Sequence, residues 1–123
     1  MRTITFAALL AAPMGLAEEE KKIELSVLYA GVKDDPRTAE FTEFLSKTFV
    51  RVEAIGLETL SVETARGADV VIVDSPSPYK AGDKFEFPKA PALGADYTKP
   101  TILMGAAGGV VLNTQRTLKL NWL

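Results

Sequence analysis

The 123-residue chain contains no cysteine and no histidine. Without cysteine there is no disulfide, no thiolate nucleophile and no thiolate-bound metal. Without histidine, the usual general base near neutral pH and the commonest metal ligand are both missing. An excess of basic charge is also absent: 14 Lys and Arg face 16 Asp and Glu, for a net charge of −2. That removes the electrostatic footprint expected of a nucleic-acid binder. No apolar run reaches the roughly 20 residues that span a bilayer. Any chemistry must rest on Asp, Glu, Lys, Tyr, Ser or Thr. No catalytic residue, metal-ligand set or cofactor is assigned.

What is present is a composition of 47% hydrophobic and 24% charged residues. That suits one globular domain with its own core. The first 17 residues read as a secretory signal peptide. Arg2 supplies the charged start, Ile4 to Ala12 the short apolar run, and Pro13 and Gly15 the helix break. Small residues at Gly15 and Ala17 place the expected cleavage after Ala17. The expected location is therefore secreted or periplasmic. No stable membrane anchor is expected after cleavage, and no lipid-acceptor cysteine exists. Residues 18–123 are the expected single domain.

Along that domain, Ile23 to Gly31 reads as a strand that turns wholly apolar toward its end. A helix follows, with Asp35 as N-cap and Pro36 at the first helical position. Phe41, Phe44, Leu45 and Thr48 fit one face of it. Val50 to Ile55 alternates as a half-buried strand. Ser61 opens, and Gly67 ends, an expected short helix around Val62 to Arg66. Asp69 to Asp74 and Thr101 to Met104 are β-rich runs that suggest strands covered on both faces. Ser75 to Pro100 holds five prolines and shows no helix pattern; its aromatics suggest a loop packed over the sheet. Thr117 to Leu123 alternates as a candidate fifth strand, and its apolar end raises the expectation of further chain.

This order predicts an α/β fold in three layers: a doubly wound, mainly parallel, flavodoxin-like sheet with strand order 2-1-3-4. In such a sheet, ligands bind outside the carboxyl ends of the strands. Those ends carry the candidate binding residues Gly31, Asp74, Ser75, Ser77, Tyr79, Gly105, Ala107, Gly108 and Gly109. The glycines suit a tight strand-to-helix turn, or exposed backbone N–H groups holding an anion. Asp74 suits a loop cap for residues 75–77. With Asp34 and Asp35 it would alternatively form an oxygen site for Mg²⁺ or Ca²⁺. The same acids are similar to a receiver-domain phosphoacceptor site, but Asp34 and Asp35 lie past the strand tip and Asp35 already caps a helix. Tyr79 and Lys80 lie just beyond the crevice. Arg37, one turn into the helix, is placed to meet an anion or solvent.

Gly105-Ala106-Ala107-Gly108-Gly109 resembles the G-x-C-x-G nucleophile elbow of class I glutamine amidotransferases, with alanine at the cysteine position. The lead-in "KPTILM" and the earlier "ADVVIVDSPSP" resemble the strands around that elbow. The chain also resembles exported planctomycete-type proteins in the order of its segments. The first resemblance implies a flavodoxin-like fold and a degenerate site. Glutamine hydrolysis is not carried over, since neither cysteine nor histidine is present. The expected function is binding of a small ligand or a partner protein at the strand ends. The alternative is a hydrolase of the same superfamily that uses carboxylates.

Overall fold

The computed structural model describes Gly15, residues 20–76, 79–81, 84–86, Pro91, residues 93–106, Gly109 and Val111. The signal segment other than Gly15, the tail strand, and Ser77, Ala107 and Gly108 lie outside the described residues.

Four strands form one parallel sheet: β1 (Ile23–Gly31), β2 (Phe49–Gly56), β3 (Val70–Ser75) and β6 (Thr101–Met104), in the order β2-β1-β3-β6. Counted as parallel strands, this is the expected 2-1-3-4 order of a flavodoxin-like α/β fold. Helix α1 (Pro36–Thr48) connects β1 to β2. Two further strands, β4 (Tyr79–Ala81) and β5 (Lys84–Glu86), pair antiparallel as a separate ribbon. They fall in the long connection expected to be a loop.

The central strands follow from their sequence. In β3, Val71 and Val73 are fully buried on one face and Ile72 is 8% exposed on the other. Side chains that alternate across a sheet cannot all be apolar unless both faces are covered. One face of the sheet carries Leu28, Ala30, Val71 and Val73 beneath Leu57, Leu60, Ala65, Ala68 and Tyr97. The other carries Val27, Tyr29 and Ile72 beneath Leu45 and Phe41. Each fully buried Val or Leu contributes about 1.5–3 kcal/mol. β6 departs from the expectation of full burial. It has β3 on one side, and Ile102 is 52% exposed.

Asp35 caps α1 as expected: its carboxylate accepts the Arg37 backbone N–H at 2.8 Å, and Pro36 sits at the start. The buried face of the helix differs by a rotation. Phe41 and Leu45 turn inward with Thr38 and Thr42, whereas Phe44 is 63% exposed and Thr48 is exposed. Both sets satisfy i, i+3, i+4, i+7. Phe41, which stacks on Tyr29 of β1 with ring centroids 5.8 Å apart, belongs to both; the choice is made by Arg37, whose Nε reaches the Asp74 carboxylate of β3 at 2.6 Å.

The layer opposite α1 also differs from expectation. A 3₁₀ turn at Leu57–Thr59 and a run of turns over residues 62–67 replace the short helix. Ser61 does cap, accepting the Thr64 N–H at 3.2 Å, while its own N–H donates to Thr64 Oγ1 at 2.9 Å. Gly67 comes too soon after that cap for helical bonds to propagate. Lys99 then closes the segment, donating to the carbonyls of Arg66 and Ala68 at 2.9 and 2.6 Å. Replacing the α1 cap, Asp35→Ala, should lower stability by about 1 kcal/mol in chemical denaturation without changing the fold.

Candidate functional site

At the carboxyl end of the sheet, three turns meet. β1 ends at Gly31, β3 at Ser75, and β6 runs into Gly105, which bridges to Ser75 in the parallel sense. The structure therefore brings Gly31, Asp74, Ser75 and Gly105 to one end, as the strand order demands. Gly109 lies farther along, where the backbone is helical at Gly105, Ala106, Gly109 and Val111. That agrees with a strand-to-helix turn after β6. Tyr79 lies on the antiparallel ribbon, and its side chain is outside the described set.

Two of the glycines have a steric reason. Gly31 packs so closely that a Cβ would lie 2.5 Å from Thr38 Oγ1 and 2.7 Å from the Tyr29 ring. Gly105 has φ of +64°, and a Cβ there would lie 1.9 Å from the Ser75 carbonyl oxygen. A side chain at Gly105 would require backbone movement, and one at Gly31 would displace the Thr38 and Tyr29 side chains.

The chemistry of this end centres on Asp74, 2% exposed and next to last in β3. Among the described residues its hydrogen-bond partners lie on β1 and α1. Its carboxylate accepts the Tyr29 hydroxyl, and it accepts Arg37 Nε at 2.6 Å and a second Arg37 N–H at 3.3 Å. Arg37, placed by the first turn of α1, thus meets an anion supplied by the protein itself. Its guanidinium also lies over the Phe41 ring, 4.8 Å from the centroid. Tyr29, Phe41, Arg37 and Asp74 form a closed ring of contacts that joins β1, α1 and β3. Its members could be found in the sequence singly, but Tyr29 was legible only as a core strand residue. Nothing in the spacing of the four announces the ring.

The ring settles protonation. Burial first, and then the acceptor bond to Asp74, push the Tyr29 hydroxyl above its ordinary range, so it stays neutral and donates. The bond to Asp74, reinforced by its charge, raises Arg37 further and keeps it cationic. On the other face, burial raises Tyr97, partly offset by its bond to Thr101. A carboxylate bound by a cation and a hydroxyl is not placed to act as a base. The alternative oxygen site does not assemble: among the described residues, no three acidic side chains converge in a way that could hold a metal ion. Ser75, 1% exposed, donates its hydroxyl to the Pro76 carbonyl at 3.1 Å.

Two depressions are found among the described residues, and the larger reaches the turn after β1 at Asp34 and Asp35. A small one of about 40 Å³ is lined by Ser26, Arg51, Glu53 and Thr64. An open groove of about 690 Å³ lies between α1 and β2, lined by Ala39, Thr42, Ser46 and Ala54. No helix among the described residues is long and apolar enough to cross a membrane.

Gly105→Ala should cost at least about 2 kcal/mol in denaturant titration, because it adds left-handed strain to a backbone collision. Tyr29→Phe should cost about 1–3 kcal/mol at neutral pH through the lost donor to a buried carboxylate. The two proteins should also differ in alkali. An unfolded Tyr29 ionises near pH 10, whereas the folded one resists. Its contribution is therefore intact below about pH 10 and is lost as the pH rises from there toward the folded pKa. Wild-type stability should fall more steeply than that of Tyr29→Phe above that point, by up to about 1.4 kcal/mol per pH unit. Denaturant midpoints measured across the alkaline range check this.

No family model, curated protein or solved structure matches the chain.

Proposed function

We propose that the chain is an exported, non-catalytic binding domain that takes a small ligand or a partner protein at the carboxyl ends of β1, β3 and β6. The observation that carries this reading is the state of the Asp74 ring. Among the described residues the one buried carboxylate, Asp74, is neutralised by Arg37 and bonded by Tyr29, so it offers no free base or nucleophile. What remains directed outward is the other edge of the Arg37 guanidinium, whose side chain is 43% exposed. It lies near the turn at Gly105, which is exposed and whose lack of a side chain keeps the backbone accessible to an incoming group. A cation held rigidly by its own carboxylate favours a ligand with acceptor oxygens, such as a sugar or a carboxylate.

Descent from the amidotransferase-like superfamily with loss of its chemistry is supported by the strand order and by the glycine at the head of the elbow. The carboxylate hydrolase is the weaker reading, because its best-placed acid is already engaged.

Thermal-shift screening of the purified protein against sugars, nucleotides, carboxylates and divalent ions should yield at least one stabilising compound. In NMR titration that compound should move the amide signals of Gly31, Ser75 and Gly105. A screen with no stabilising compound, or shifts confined to other surfaces, would remove the small-ligand form of the proposal. Turnover of model glycosides or peptides would replace it with the hydrolase.

A further inference from the structure

β2 is an edge strand: among the described residues it pairs with β1 alone. Half of its backbone N–H and C=O groups therefore face away from the sheet, as a template for another strand. Its sequence is Phe49-Val50-Arg51-Val52-Glu53-Ala54-Ile55-Gly56. Proteins commonly guard such edges with charged side chains, lysine above all. Here the charges are opposite and flank a single residue, Val52. Both are exposed, and among the described residues neither joins an ion pair.

We infer that β2 is the dimerisation edge of this protein and that its partner is β2 of a second copy, antiparallel and centred on Val52. In that register Arg51 lies opposite Glu53 of the second copy, and Glu53 opposite its Arg51. Directly opposed residues in an antiparallel pair share a face, so both ion pairs form on the face away from α1. On the α1 face, Val52 meets its own copy and Val50 meets Ala54. Val50 is 61% exposed in the single chain, and Ala54 is exposed at the open groove beside α1.

Charge selects this arrangement over its neighbours. Centring on Arg51 or on Glu53 sets like charges against each other. So does an in-register parallel pairing. Only the register at Val52 satisfies both pairs, and its two-fold symmetry closes the assembly at two copies instead of extending it into a fibre. The two four-stranded sheets then continue as one sheet of eight strands.

Sedimentation velocity of the purified protein over a concentration series tests the inference, with circular dichroism confirming that each variant is folded. The wild type should show a monomer–dimer equilibrium. Arg51→Glu and Glu53→Arg, each alone, should weaken it by about tenfold or more, since two symmetry-related pairs change from attraction to repulsion. The double variant carrying both changes should restore it. A wild type that stays monomeric at every concentration overturns the inference. So does a dimer indifferent to both single changes, or one that the double variant fails to rescue.

Discussion

A buried carboxylate near the end of the central strand is the constraint around which this structure is organised. Asp74 lies between two strands with 2% exposure, where an unpaired charge is prohibitively expensive. It is tolerable only because Arg37 and Tyr29 reach it from two other elements. That requirement fixes more than an ion pair. It sets the rotation of α1, because Arg37 must point inward over β1, and that places Phe41 on Tyr29 and leaves Phe44 in solvent. A helix turned by one residue would present another apolar stripe to the sheet and abandon the carboxylate.

The same constraint bears on function. In a doubly wound sheet the strand ends are where chemistry is usually placed, and here they hold a neutralised, hydrogen-bonded ring. Its rigidity suits recognition. It does not suit a proton transfer, which needs a group with a vacant lone pair or a proton to give. With no cysteine and no histidine, the chain has few other means of supplying one. The sheet is also asymmetric. Its inner strands are covered on both faces, while β2 and β6 present exposed apolar residues, Val50 and Ile102, along its margins. The strand-end ring and the β2 margin are adjacent, since Tyr29 of the ring pairs with Ala54 of β2.

Much of the fold was legible in the residue order. The β-branched run Val70 to Val73 could be buried on both faces only as an inner parallel strand, and it is one. The Asp35-Pro36 pair marked the start of α1 correctly. The misreadings have separate causes. The turn segment at residues 62–67 has a sound cap, but too few residues before Gly67 for a helix to propagate. The face of α1 was ambiguous because two stripes satisfy the same periodicity. The short ribbon of β4 and β5 was hidden by a proline-rich setting.

Local patterns determined what each segment could become: strand order, helix start, the glycine turns, and the absence of sulfur and imidazole chemistry. They work because burial and backbone geometry act over a few residues. The tertiary structure alone decided that Tyr29, Arg37 and Asp74 belong to one site, since residues 8 and 37 positions apart carry no mutual signal until the sheet closes. It alone decided that Asp74 faces a cation and not a loop. The reason is electrostatic: the state of a buried charge depends on what surrounds it in three dimensions, and no neighbour along the chain can supply that.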